Sequence, residues 1–471
     1  MESKTYKALA FDFDGTLFDT AKLNSQAYRL AYYDLGIEIT EEQFERTKGL
    51  SVYEFNRVLG VDCDVERLRS LKASYYDKMS IYAKPNKYLI NIIRNSTIPV
   101  VLVTTARLWN ILPLMARYNL RDCFSFMVTQ DSVKNHKPHP DAYLEAIKKL
   151  GVAPEDILAF EDSRTGFVAA RAAGCDCVKV GEFQDDCIVD MTGGSNSRTR
   201  LLYHEGQLIV QKDAEGEVNA EKLKKECEFL VANQHPYLIP VSNYQFGINP
   251  YGIYTMPYVF GGSFYEYHNK IGMFPKVIER IADFDLQSKE VNFVLNSTDI
   301  RQECFDKYII PGMRDYNAYG GGVEYYDPCI ERIPAFVNEF RLTRYHGDTT
   351  FENIIMSRTL GPVLIDPVPY GNAITGIAHD FSKLGQSLCG YEAIRDGLGF
   401  DYSVERQIFD EYARKFLTES EYKSLKFYTG CLFFRRLKYQ VKQNSSLVRV
   451  YGDIGIRLLT EFIKGNYHWS Y

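Results

Sequence analysis

The apolar positions in the first third of the chain fall into short continuous runs separated by helical spacings. TYKALAFDF, residues 5–13, reads as a short buried strand. IPVVLVTTA (98–106), FSFMVTQ (124–130), DILAFED (156–162) and CDCVKVG, ending at Gly181, read as further strands. Helical patterns such as DAYLEAIKKLGV lie between them. Strands alternating with helices predict an α/β architecture, a parallel sheet with helices on both faces. The stretch from about Thr20 to Tyr88 has helical spacing (Leu23, Ala27, Leu30, Ala31) and is too long for one crossover, so it is expected to form an inserted helical cap.

Near residue 185 the pattern changes. CIVDMTGGSNSRTRLLYHEGQLIVQK reads as strand, Gly-rich turn and strand, followed by a helix in NAEKLKKECEFLVANQ and strands ending in YGIYTMPY. After Gly262 the spacing is mostly helical, interrupted by HGDTTFENIIM and PVLIDP. The expected domains are 1–186, with the cap at about 20–88, a small β-rich lobe at 187–260 and a helical lobe at 261–471.

Length agrees with this division, since 471 residues at roughly 150 per domain allow about three domains. With 45% hydrophobic and 25% charged residues, the composition is that of a globular chain and excludes a disordered or fibrous one. The net charge of −6 argues against a large nucleic-acid surface. No apolar stretch reaches the roughly 18 residues of a membrane span, and acidic residues precede any apolar run that could serve as a signal peptide. The ten cysteines form no C-x-x-C pair. The expectation is a cytoplasmic protein with reduced thiols, no membrane partner and no nucleic-acid partner.

Asp12 and Asp14 carry the strongest chemical signal. They end the first strand, in FDFDGTLFDT, where open α/β sheets bind ligands. Two carboxylates so close need Mg²⁺ or a proton to coexist. Thr104 ends the second strand, Lys137 lies in NHKPHPDAY, and Glu161 and Asp162 end the fourth strand in FEDSRTG. This set suits phosphoryl transfer to a carboxylate. Asp12 is the expected nucleophile and Asp14 the acid and base. Thr104 and Lys137 are expected to hold phosphoryl oxygens. Asp12, Asp14, Glu161 and Asp162 are the expected Mg²⁺ ligands, with Glu161 open to a supporting role instead. Asp19 is expected to cap a helix.

Taken together, D-x-D-G-T-L, Thr, K-P-x-P-D and E-D-S-x-x-G resemble the haloacid dehalogenase-like (HAD) phosphatases over residues 5–185, in the branch of phosphoglycolate phosphatase and β-phosphoglucomutase. The resemblance implies a Rossmann-like sheet with a helical cap, and it places Gly49, Leu50 and Ser51 near the substrate.

HGDTTFENIIM sets His346, Asp348 and Asn353 in one loop, and VLIDP places Asp366 at the end of an apolar strand. In a phosphotransferase the first aspartate orients the attacking hydroxyl, while the asparagine and second aspartate hold Mg²⁺ on the nucleotide. The set resembles the aminoglycoside phosphotransferase and choline kinase group over residues 190–471, which implies a bilobal protein-kinase-like (α+β) domain. Lys212 is then expected on the nucleotide phosphates, with Glu226 as its partner. Gly193, Gly194 and Ser195 would cover the phosphates, and Met256 and Tyr258 would sit where a linker between lobes meets the base. Asp380, in AHDF, is expected to anchor the catalytic loop rather than do chemistry.

The combined expectation is a bifunctional enzyme, a Mg²⁺-dependent phosphatase of a sugar or polyol phosphate and an ATP-dependent kinase of a small hydroxyl compound, serving surface polysaccharide or nucleotide-sugar precursor synthesis. The alternatives are a phosphomutase fused to a kinase, or a regulatory protein with an inactive kinase-like module.

Overall fold

The computed structural model describes residues 4–45, 52–80, 82–191, 197–247, 251–267, 270–287, 292–295, 299–321 and 332–469. The chain divides into two compact units, Glu2–Lys212 and Asp213–Tyr471, and the division falls inside one strand.

In the N-terminal unit, β1 (Ala8–Phe11) is fully buried and continuous in apolar side chains, as a central strand covered on both faces must be. The short strands β2 (Phe18–Asp19) and β3 (Lys84–Pro85) pair antiparallel where the chain leaves and re-enters the sheet domain. β4 (Val100–Val103), β5 (Phe126–Val128), β6 (Ile157–Glu161) and β7 (Asp176–Lys179) complete a parallel sheet of order β5-β4-β1-β6-β7. One face of the core is built largely from small residues, among them Ala8, Ala10, Ala142, Ala146, Ala159, Ala169 and Ala170. They let the helices Asp141–Leu150 and Arg164–Ala172 lie close to the sheet. Phe11 and Phe160 stack at 4.5 Å across neighbouring strands.

Between β2 and β3 lie the helices Ala21–Asp34, Glu41–Glu45, Val52–Leu59 and Val65–Ser80. The first and last pack together around Ala31, Tyr32 and Leu68. Asp19 does not cap a helix. It pairs with Lys84 in the two-residue ladder, and Thr20 takes the N-cap position. The unit ends with β8 (Val189–Asp190) and β9 (Arg198–His204), which pair antiparallel, and with the first part of β10 (Gln207–Glu215).

The C-terminal unit mixes sheet and helix. β11 (Asn243–Phe246) and β12 (Tyr251–Pro257) form an antiparallel pair against the helix Glu217–Ala232. β13 (Gly261–Ser263) opens a second sheet, and β14 (Asn292–Leu295) pairs with β15 (Glu339–Leu342). β16 (Ile354–Ser357) and β17 (Gly361–Leu364) join β13 in the order β13-β16-β17. The helices Ile377–Leu388, Glu419–Gln443 and Ser446–Ile463 form the bulk of the core. The longest starts at a capping box in which Thr418 and Glu421 satisfy each other's backbone N–H groups. The nine described cysteines are all free. Among the described residues no helix is long and apolar enough to cross a membrane.

Candidate active sites

The C-terminal ends of β1, β4 and β6 bring together residues far apart in sequence. Asp12 is 6% exposed, and its backbone N–H donates to the Phe160 carbonyl at 3.1 Å. The Lys137 ammonium donates to Asp12 Oδ1 at 2.7 Å, Glu161 Oε1 at 2.6 Å and the Val103 carbonyl at 2.8 Å. All three hydrogens of that ammonium are therefore spent. Glu161 Oε1 also accepts from the Tyr143 hydroxyl, whereas the buried Oε2 has no hydrogen-bond partner.

Burial pushes the Asp12 carboxyl well above the ordinary carboxylate range; Lys137 opposes this and Glu161 reinforces it. Burial likewise raises Glu161 and Asp162. For Lys137 burial works against the charge, but Asp12 and Glu161 outweigh it and hold the ammonium above its usual range.

Oxygens of Asp12, Glu161 and Asp162 lie within 4.8 Å of one another. Three crowded carboxylates against one ammonium leave excess negative charge in a buried place, and the orphaned Glu161 oxygen adds a free donor. The residues fit a hard divalent cation such as Mg²⁺.

The expected ligand Asp14 is not in this cluster. Its Oδ1 accepts from the Thr20 hydroxyl at 2.5 Å and from the Tyr76 hydroxyl at 3.3 Å. Those two hydroxyls hold its side chain toward the cap, where Tyr76 lies on the helix Val65–Ser80. Gly15 adopts a φ of +76°, and a Cβ there would meet Asp162 Oδ2 at 2.1 Å. Only a residue without a side chain lets the chain pass so close to Asp162. Thr104, 2% exposed, follows β4; its hydroxyl accepts from the Ala106 N–H at 3.0 Å.

The cap adds a cation that no sequence motif marks. Lys72 lies 4.5 Å from the Tyr76 ring centre and 5.3 Å from that of Tyr28. Burial lowers its pKa to about 8, with Asp14 opposing the shift. The signal was present, since Lys72 and Tyr76 are four residues apart on one helix face. Gly49, Leu50 and Ser51 lie outside the described residues.

In the C-terminal unit, Asp348 Oδ1 is 3.0 Å from the Lys383 ammonium, and Asp348 Oδ2 accepts from Asn353 Nδ2 at 3.0 Å. Burial opposes ionisation of Asp348, but Lys383 outweighs it and holds the carboxyl below its ordinary value. Asp380 accepts from the backbone N–H groups of His346 at 2.6 Å and Gly347 at 2.7 Å, which pins the loop. Gly347 has a φ of +88°, and a Cβ there would meet the Val368 carbonyl at 2.1 Å. Phe351, between Asp348 and Asn353, packs edge-on against Phe264 at 5.0 Å and Phe274 at 5.7 Å. Asp366 follows β17 with a φ of 57°, a conformation that costs a non-glycine residue and recurs at functional sites.

Of the expected nucleotide residues, Lys212 lies on β10 and is 4% exposed. Glu226 accepts from the Tyr254 hydroxyl at 2.6 Å. Met256 is buried inside β12, so the irregular connection begins only at Tyr258, later than the sequence suggests. Gly193, Gly194 and Ser195 lie outside the described residues. Lys383 was not read from sequence, because nothing in its spacing distinguishes it from a surface lysine on a helix.

Residues 9–180 match the haloacid dehalogenase-like hydrolase family. Over 176 residues the chain is 31% identical to the phosphorylated carbohydrates phosphatase of Thermotoga maritima, spanning 36% of this chain and 82% of that protein. The chain belongs to the haloacid dehalogenase-like hydrolases. It is also 29% identical over 181 residues to fructose-1-phosphate phosphatase of Escherichia coli, spanning 37% of this chain and 96% of that one. A solved β-phosphoglucomutase from Clostridium difficile aligns at 28% identity and a TM-score of 0.33, over 38% of this chain and 86% of its own. The haloacid dehalogenase-like match thus takes in the parallel sheet, the cap and the Asp12 cluster, and it ends before the second unit begins.

Proposed function

We propose that the chain is a bifunctional phosphoryl-transfer enzyme. Its N-terminal unit hydrolyses a sugar or polyol phosphate, and its C-terminal unit phosphorylates a small hydroxyl compound from ATP. The first half rests on the buried Asp12–Lys137–Glu161 arrangement beside Asp162. Asp12 attacks phosphorus and becomes the aspartyl phosphate. Asp14, held by Thr20 and Tyr76 on the cap side, protonates the leaving oxygen and then takes a proton from the attacking water. Lys137 fixes the attacking oxygen of Asp12, and Thr104 lies at the end of the neighbouring strand to meet the phosphoryl group. A divalent cation held by Asp12, Glu161 and Asp162 would offset the negative charge of the phosphoryl oxygens.

The second half rests on the pinned loop of Asp348 and Asn353 beside the strained Asp366. Asp348 orients the acceptor hydroxyl, and Asn353 and Asp366 are the donors suited to a nucleotide-bound Mg²⁺. The nucleotide roles of Lys212, Glu226, Met256 and Tyr258 belong to the same proposal. Acting on one oxygen of one compound, the two activities would only hydrolyse ATP. They therefore act at different positions or on different compounds, as in making an activated sugar precursor.

The test is phosphate release from three- to seven-carbon sugar and polyol phosphates with Mg²⁺ and no nucleotide. A substrate whose turnover stops on chelation supports the phosphatase. An isomerised product that keeps its phosphate would replace it with a phosphomutase.

The cap lysine makes a pH prediction. Lys72 is charged below about 8 and neutral above it. If it binds an anionic substrate, kcat/KM falls as pH rises through that value, and Lys72→Met flattens this limb. An unchanged alkaline limb in the variant would exclude Lys72 from substrate binding.

A further inference from the structure

The surroundings of Asp348 carry more positive charge than the loop needs. Lys383, 3.0 Å from the carboxylate, is one cation. Two more come from the helix Glu419–Gln443, which is tied to the Lys383 helix where Thr429 Oγ1 donates to the Ser382 carbonyl at 3.3 Å. Arg435 donates to Asn372 Oδ1; Asn372 Nδ2 donates to the Val368 carbonyl at 3.0 Å, and the Val368 N–H donates to the His346 carbonyl at 2.8 Å. That chain of bonds fastens Arg435 to the Asp348 loop. The Arg436 guanidinium lies 5.2 Å from the Tyr391 ring centre and 5.4 Å from that of Tyr439. Glu392, next to Tyr391, accepts from the Phe351 N–H at 3.0 Å and so ties this segment to the same loop.

Neither guanidinium has a carboxylate within 4 Å among the described residues, and Arg436 Nε is buried with no hydrogen-bond partner. Glu352, the other carboxylate of the loop, is taken by Arg395 at 2.7 Å. The cations also act on one another: burial, Arg435 and Arg436 all lower the Lys383 pKa, and Asp348 opposes them. Two guanidinium groups without carboxylate partners, Arg435 held by Asn372 and Arg436 packed on two aromatic rings, are preorganised to receive a compact anion.

We propose that the acceptor of the C-terminal unit is itself an anion, a phosphorylated or carboxylated small polyol or sugar, whose charged group binds Arg435 and Arg436 while its hydroxyl meets Asp348. The inference rests on the kinase reading above. In the reaction the acceptor oxygen bonds to the γ-phosphorus of ATP as the bridging bond to the β-phosphate breaks. ADP leaves with the electron pair, and the hydroxyl proton passes to Asp348 and then to solvent.

The experiment uses the full chain carrying Asp12→Asn, so that phosphate esters are not hydrolysed at the first site. Labelled ATP and Mg²⁺ are supplied with glycerol, glycerol 3-phosphate or glycerate, and with glucose, glucose 6-phosphate or gluconate. The expected result is a kcat/KM for an anionic acceptor about a hundredfold above its neutral parent, and the phosphate and carboxylate members show which anion is preferred. Arg436→Ala should raise the acceptor KM about tenfold or more while leaving the ATP KM within about twofold, and Arg436→Lys should recover part of the loss. Calorimetric titration of glycerol 3-phosphate gives a readout independent of turnover, with about a tenfold loss of affinity expected in Arg436→Ala.

Preference for the neutral parents, a defect confined to the ATP KM, or equal or absent binding in parent and variant overturns the inference and leaves the kinase reading standing. Absence of transfer to all six acceptors, together with no rise in Tm on adding Mg-ATP, overturns both.

Discussion

Asp12→Asn is expected to lower phosphate release by about 10⁴-fold or more, the scale of removing a covalent nucleophile. The fold should survive the change. Asp12 is buried beside Glu161, and burial raises its pKa, so its ionised form is costly in the folded state. An amide of the same shape removes that cost, and Lys137 keeps Glu161 at 2.6 Å as a partner. A carboxyl whose folded-state pKa is raised loses stability as pH climbs from its unfolded value through its folded one. The variant lacks this loss, so its Tm should gain on the parent's as pH rises through that window. A variant that is inactive and also strongly destabilised would mean that Asp12 serves the fold more than the chemistry.

Lys137→Ala should have the opposite balance, with both activity and stability falling. Without the ammonium, Asp12 and Glu161 face each other buried with no cation between them, and breaking a buried ion pair from one side costs about 3–5 kcal/mol. For a unit of this size that is roughly a 10 °C fall in Tm. Mg²⁺ should raise the Tm of the variant more than that of the parent, because the cation then supplies the only positive charge among these carboxylates. Scanning calorimetry with and without Mg²⁺ checks both statements. A Tm within about 2 °C of the parent would show that the ion pair contributes little.

The parallel sheet is legible because its three central strands, β1, β4 and β6, are fully buried and read as unbroken apolar runs such as ALAF, VVLV and ILAF. Asp12, Glu161 and Asp162 are legible for a related reason: they stand where those runs stop. The partners that tune them are not. Tyr143 reaches Glu161 from a helix 18 residues earlier in the chain, and Tyr76 reaches Asp14 across 62 residues. Such pairings depend on tertiary packing and leave no local spacing. The ladder between Phe18–Asp19 and Lys84–Pro85 is only two residues long, too short for an alternation to show, and so Asp19 looks like a cap in the sequence. In the second unit HGDTTFEN displayed Asp348 and Asn353 at once. Lys383, Arg435 and Arg436 stayed hidden among ordinary helical charges, because only the approach of two helices brings them to the loop.

We propose that one chain holds two separate phosphoryl-transfer centres. The most direct measurement follows phosphate release and ATP-dependent transfer side by side in the parent, Asp12→Asn and Asp348→Asn. Asp12→Asn is expected to lose only phosphate release and Asp348→Asn only transfer from ATP. Loss of both activities in either variant, or transfer from ATP that persists without the Asp348 carboxylate, would contradict it.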